Sequence, residues 1–178
     1  MRVISGTARG LKLESLDGIE TRPTLDRVKE AVFSILFEKT YDALVLDLFA
    51  GSGALGIECL SRGAKGCVFV DINQRAADVI KTNVKKARFE DKAEIKSCDY
   101  KTYISGCNKK FDLIFLDPPY KAGILTDVLT EIKQNNVLND GGIIIVESDF
   151  DNQPDIPHFK ITKNKKYGRV SILILEEQ

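Results

Sequence analysis

A chain of 178 residues, 43% of them hydrophobic, has enough material for one domain with a sizeable core. Lys plus Arg and Asp plus Glu both total 26, so net charge points to no polyanionic partner and charge must be read locally. Four cysteines without a CxxC pair, beside the sole histidine His158, argue against a metal site and against a secreted disulfide framework.

No apolar run approaches the roughly 20 residues that span a bilayer, and the amino terminus lacks an apolar leader. A soluble cytoplasmic protein is expected, with no membrane partner. Residues 2–14 read as two short strands around a Gly6–Gly10 turn, a β-hairpin extension over residues 1–20 that must lean on the main body. Arg2, Arg9 and Lys12 make it basic, so Arg9 is a candidate RNA contact, with a solvated hairpin as the alternative. The main body is expected over residues 24–178. Val28, Val32, Ile35 and Leu36 then follow a helical spacing, with Thr24 as the expected N-cap. Arg22 lies at that start, within reach of a phosphate or carboxylate.

From Ala43 onward strand and helix patterns alternate, which predicts an α/β domain with a mostly parallel sheet. The strand 44–49 contains Asp47 and Phe49 and runs into Ala50-Gly51-Ser52-Gly53, with Gly56 completing G-x-G-x-x-G at the start of a helix. Glycines there permit a sharp turn and close approach by a nucleotide-like cofactor. The strand 67–71 ends in Asp71, followed by Ile72, and a carboxylate in that place suits the hydroxyls of a ribose or caps the next helix. A third strand, 93–97, ends at Cys98-Asp99-Tyr100, where Asp99 is either a ligand for a base amino group or a turn residue.

The fourth strand, Leu113 to Leu116, stops at Asp117-Pro118-Pro119-Tyr120. Two prolines fix two φ angles and remove two donors, so the turn should be stiff and extended. Asp117 and the Pro118 carbonyl can accept hydrogen bonds from an exocyclic amino group while Tyr120 stacks on its ring. The alternative is an ordinary strand-to-helix turn. A helix over 122–133, a turn at 139–142, a fifth strand over 143–146 and a closing antiparallel pair (159–162 and 170–175) complete the reading. Lys163, Lys165, Lys166 and Arg169 surround Tyr167 at the expected hairpin tip, a candidate meeting place for RNA.

These stretches resemble the class I S-adenosylmethionine-dependent methyltransferases. They resemble in particular the 16S rRNA (guanine(966)-N2)-methyltransferases, which methylate a guanine amino group in bacterial small-subunit RNA. The likeness covers almost the whole chain: Val3-Ile4-Ser5-Gly6, Arg22-Pro23-Thr24, Leu46-Asp47-Leu48-Phe49-Ala50-Gly51-Ser52-Gly53, Asp71, Asp99, Asp117-Pro118-Pro119-Tyr120 and Tyr167-Gly168. Leu11, Ser34 and Arg169-Val170 depart from the family's pattern. The resemblance implies a Rossmann-like, seven-stranded, mostly parallel sheet with an antiparallel C-terminal strand. It places the methionine end of S-adenosylmethionine at Asp47 and Gly51–Gly53, the ribose at Asp71 and the adenine amino group at Asp99. The target base falls at Asp117 to Tyr120. The implied partner is 16S rRNA, free or within a small subunit or its assembly intermediate, met by a monomeric enzyme without a metal. The competing functions are an amino methyltransferase acting on adenine and, more remotely, a nicotinamide oxidoreductase, whose glycine pattern is the same.

Overall fold

The computed structural model describes residues 1–16, 23–118, 124–149, 155–168 and 170–178. Helix α1 (Pro23–Leu36) precedes β1 (Leu44–Asp47), α2 (Ala54–Ser61), β2 (Gly66–Asp71), α3 (Gln74–Ala87) and β3 (Ala93–Ser97). Next come α4 (Tyr100–Ser105), β4 (Phe111–Leu116), α5 (Ile124–Gln134), β5 (Leu138–Asp149), β6 (Phe159–Tyr167) and β7 (Val170–Glu177). The strands form one sheet in the order β3-β2-β1-β4-β5-β7-β6. The first five are parallel, and β7 inserts antiparallel between β5 and β6.

Alternation along each strand divides the core into two layers. Val45, Leu113, Phe115, Ile145 and Ile172 face α1, α2 and α3, where Val32, Phe33, Ile57 and Ile80 pack against them. Leu46, Ile114, Leu116, Ile144 and Leu173 face the other way, toward Ile104 of α4 and Val128, Leu129 and Ile132 of α5. The sheet is thus covered on both faces, as its continuous apolar runs require.

Several local readings change. Helix α1 begins at Pro23, so Thr24 lies in its first turn rather than at the N-cap; proline suits the first helical position, where its missing N–H has no partner to lose. The short helix α4 was not anticipated from the sequence. Asn139 to Gly142 do not end the strand: they sit inside β5 as an irregularity, between the pairs Phe111–Leu138 and Leu113–Ile143. Gly141 supplies the positive φ of 75° and Asn139 donates to Asp112 at 2.7 Å, so the turn-type residues are absorbed as a distortion within the strand. Finally, β6 continues to Tyr167, so Lys163, Lys165 and Lys166 belong to an edge strand rather than a hairpin tip.

The amino-terminal segment carries one antiparallel bridge, Arg2 to Lys12, instead of two strands. Its anchor is Glu58 of α2, whose side chain is 0% exposed. The carboxylate accepts the amides of Ile4 at 2.8 Å and Ser5 at 3.0 Å, and pairs with Lys29 of α1 at 3.2 Å and Arg62 at 2.8 Å. Lys29 also donates to the Arg2 carbonyl at 2.6 Å. Nearby, the segment runs so close to α2 that a side chain on Gly6 would meet the Ser61 carbonyl at 1.8 Å. Its far end is held by Asn83 of α3, which exchanges two hydrogen bonds with the Glu14 backbone and donates to the Ser52 carbonyl at 2.9 Å.

Replacing Glu58 with alanine leaves two amides and the buried Lys29 ammonium without their carboxylate. Urea unfolding of Glu58→Ala is expected to show a loss of about 3–5 kcal/mol, with hydrogen exchange accelerated at Ile4 and Ser5. An unchanged midpoint would remove Glu58 from this role.

Candidate active site

The strand order reverses between β1 and β4, and ligands of open α/β sheets bind in the crevice beyond the carboxyl ends of strands at such a point. The chain leaving β1 is zipped to both neighbours: the Leu48 amide donates to Phe115 and the Ala50 amide to Val70, at 3.2 and 3.0 Å. Gly51 (φ +55°) then turns over the sheet edge, and a Cβ placed on it would meet nothing within 4 Å. The space above that backbone is open to a ligand. Gly56 serves packing instead, since a Cβ there would lie 2.3 Å from the Phe69 ring.

Two carboxylates brace this loop. Asp47, 3% exposed, accepts the Gly56 amide at 3.1 Å and so ties the end of β1 to the start of α2. Asp71 accepts the amides of Gly51 and Asn73, each at 2.8 Å, one on each oxygen. Asp71 therefore does not cap α3; Asn73 does, accepting the Arg75 amide. Each Asp71 oxygen keeps a further acceptor site.

A cavity of about 240 Å³ opens between the carboxyl ends of β1, β4 and β5 and the inner face of α1. Asp47, Phe49, Ala50, Gly51 and Ser52 line one side, Asp117 and Glu147 another, and Val28, Lys29 and Val32 form the wall from α1. Asp117 and Gly51, 66 positions apart in the chain, therefore share one cavity. Burial pushes the Asp47 carboxyl up to about 7, with Asp117 and Asp71 adding repulsion. The Asp117 side chain is open to solvent in the cleft, yet protein on its other sides weakens its hydration and pushes it up to about 6. Half-buried Glu147 is pushed up to about 7, by burial first and by the Asp117 charge second.

The remaining expected site residues divide by location. Pro118 is buried beside Asp117, while Pro119, Tyr120 and Arg22 fall outside the described residues. Asp71, Ile72, Cys98, Asp99 and Tyr100 do not line the cavity; they follow one another along the carboxyl ends of β2 and β3. Ile72 is an apolar side chain 76% exposed. Asp99 caps α4, accepting both the amide and the hydroxyl of Thr102, and those hydrogen bonds lower its pKa. The Tyr100 ring lies 5.8 Å from that of Phe49, linking this row to the cavity wall. Exposed Arg9 stands away from the cavity, near Ser61 at the opposite end of α2, about 12 Å along an eight-residue helix.

Register separates the basic residues of β6. Lys165 pairs with Ile172 and Tyr167 with Val170, on the face that carries the cavity; Lys166 pairs with Ser171 on the other face. Sequence reasoning missed Glu147, Lys29 and Glu58. Glu147 gives the same signal as Asp71 and Asp117, an acid directly after a buried apolar run. Glu58 stands as a charge among Ile57, Cys59 and Leu60. Lys29 on a helix gives no local signal.

The chain is similar to known proteins along its whole length. The Bacillus subtilis (strain 168) protein YlbH is 37% identical, with 100% of both chains covered. The Escherichia coli (strain K12) protein named Ribosomal RNA small subunit methyltransferase D is 31% identical over 100% of this chain and 90% of its own. The solved structure of the Escherichia coli protein yhhF superposes with a TM-score of 0.90 at 31% identity, covering 100% of this chain and 98% of that one. The fold is the Rossmann-like methyltransferase fold, with a seven-stranded, mostly parallel sheet. With its model matched over residues 1–176, the chain belongs to the family described as Conserved hypothetical protein 95.

Proposed function

We propose that this protein transfers a methyl group from S-adenosylmethionine to the exocyclic N2 amino group of a guanine in small-subunit ribosomal RNA. The observation that carries the reading is that Asp117 and the open backbone of Gly51 line one cavity at the strand-order reversal. The small-subunit rRNA methyltransferase of Escherichia coli, similar along this whole chain, supports the substrate class.

The residues present fit the cofactor. Space over Gly51, the unused acceptor sites of Asp71 and the exposed Ile72 suit a nucleoside with a vicinal diol and a flat base. Asp47 sits beneath the glycine loop where a cationic amino group would stabilise its ionised form. Asp99 keeps acceptor capacity beyond its bonds to Thr102 for the adenine amino group, with Cys98 and Tyr100 beside it. S-adenosylmethionine, when bound, supplies an electrophilic methyl group on a sulfonium.

The guanine N2 lone pair is delocalised into the ring and is a poor nucleophile. Hydrogen bonds from its two N–H groups to Asp117 and the Pro118 carbonyl favour a pyramidal nitrogen. The carboxylate then stabilises the positive charge that develops on nitrogen as the N–C bond forms, an interaction stronger in the transition state than in the ground state. Holding both reactants in one geometry supplies much of the remaining rate.

RNA would cross the cavity face of β5, β7 and β6. Leu116 pairs with Val146, Glu147 with Ile172 and Ile172 with Lys165, so Asp117, Glu147, Ile172 and Lys165 stand in one row across four strands. Three strand spacings put Lys165 about 14 Å from Asp117, on the same face as Lys163 and Tyr167. A phosphate and an unstacked base beside the target are suited to those side chains.

Four measurements test the assignment. Ribosomal RNA from cells lacking this protein should lose one N2-methylguanosine in nucleoside mass spectrometry; an unchanged profile, or loss of a methyladenosine instead, would refute the guanine reading. Paired assays on naked 16S rRNA and on small-subunit particles identify the substrate form. Asp117→Ala is expected to keep cofactor affinity in calorimetry while methyl transfer falls about a hundredfold or more, and near-normal turnover would exclude Asp117 from the chemistry. Lys165→Ala should lower the salt slope of RNA affinity by about 0.7, whereas Lys166→Ala, on the other face, should leave it unchanged. Equal effects would sink the proposed RNA path.

A further inference from the structure

We infer that Asp117 and Glu147 work as one proton-holding pair that takes up the proton released from the newly methylated amino nitrogen. This inference rests on the methyl-transfer reading above and adds Glu147 to it as a residue of the reacting centre.

The geometry comes from the sheet. Leu116 and Val146 are register partners on the parallel strands β4 and β5, so the next residues, Asp117 and Glu147, emerge side by side at the carboxyl edge. Alternation sends both side chains to the face of Phe115 and Ile145, and both line the same cavity. From β7 the neighbour of Glu147 is apolar Ile172. Among the described side chains of α1, the charged group at the cavity is Lys29, whose ammonium bonds Glu58 and the Arg2 carbonyl. Asp47 contributes a third carboxyl from β1, and Met1 reaches the cavity from the amino-terminal segment. Two adjacent carboxylates in such a setting do not both ionise freely, and both are pushed up, in accord with a shared proton.

The reaction needs an acceptor of this kind. The N2 lone pair forms the new N–C bond as the carbon–sulfur bond breaks, and the electron pair of that bond stays on sulfur. Nitrogen is left with a positive charge and sheds one of its two protons. The ionised pair receives it as a proton held between the two carboxylates and passes it to water in the open cleft. No oxidant, reductant or further reactant enters.

The sign of the pH dependence follows. The pair must be ionised at both members to take up the released proton, so activity falls as pH drops through the upper of the two values, near 7. Single-turnover methyl transfer, followed from about pH 5 to about pH 9, should show that acid limb in the wild type. In Glu147→Gln the carboxyl of Asp117 titrates alone, so the limb should move down toward about 6. The plateau should fall about tenfold or more, with S-adenosylmethionine affinity in calorimetry unchanged. A profile and plateau superimposable on the wild type would overturn the inference. Should the variant fail to bind S-adenosylmethionine, carboxyl carbon-13 titration of the wild type decides instead. Two coupled steps separated by more than about one unit support the pair, and two independent titrations at ordinary carboxyl values overturn it. Wild-type protein that transfers no methyl group to ribosomal RNA would overturn the proposed function, and the same titration would still decide whether the pair exists.

Discussion

A single buried carboxylate, Glu58, determines how the amino-terminal third of the chain meets the sheet. It is enclosed completely, and an enclosed charge is tolerated only with partners and hydrogen bonds around it. Here those partners come from three places: the amides of Ile4 and Ser5, the ammonium of Lys29, and the guanidinium of Arg62. Arg62 also lies over the Phe33 ring at 4.7 Å, so the same network grips α1 through an aromatic face. Because Lys29 lines the cavity from α1, the wall of the site is positioned by a charge that never reaches it.

A second constraint acts on the opposite side of the cavity. The glycine loop offers only the small side chains of Ala50 and Ser52, and hydrogen bonds from outside brace its shape. Asp47 fixes the Gly56 amide, Asp71 the Gly51 amide, and Asn83 the Ser52 carbonyl. Asn83 also holds the Glu14 backbone, so the amino-terminal segment and the loop share one anchor. Loop, segment and α1 therefore form a connected frame around the cleft.

Within that frame the acids are crowded. Asp47, Asp117 and Glu147 line one cavity, and burial raises all three. Such a cleft is poorly suited to anions, and on its Asp47 side a cationic ligand would restore the ionised form of that carboxyl. A sulfonium with an attached ammonium is of that type. The edge strand β6, in contrast, bears lysines at the far end of the same face, where a polyanion can be met without entering the acidic cleft. The lysines also discourage pairing of that edge with another chain.

Much of this was legible from residues 43–117 alone, because the signals there are local. Continuous apolar runs mark strands buried on both faces, glycines mark the turn, and an acid after each run marks the edge where ligands bind. The Asn139 to Gly142 stretch shows the limit of such reading: its residues have turn chemistry, and whether that chemistry ends a strand or bends one depends on the partner strand. Likewise nothing local distinguishes Lys165 from Lys166, although pairing with β7 puts them on opposite faces. The sequence by itself determined the strand and helix alternation, the glycine loop and the carboxylates at the strand ends. Only the tertiary structure set β1 beside β4, Asp117 beside Glu147 and Glu58 beneath the amino-terminal segment. The physical reason is that backbone period and turn preference are properties of neighbouring residues, whereas adjacency across a sheet is settled by which buried faces and buried charges can be satisfied together.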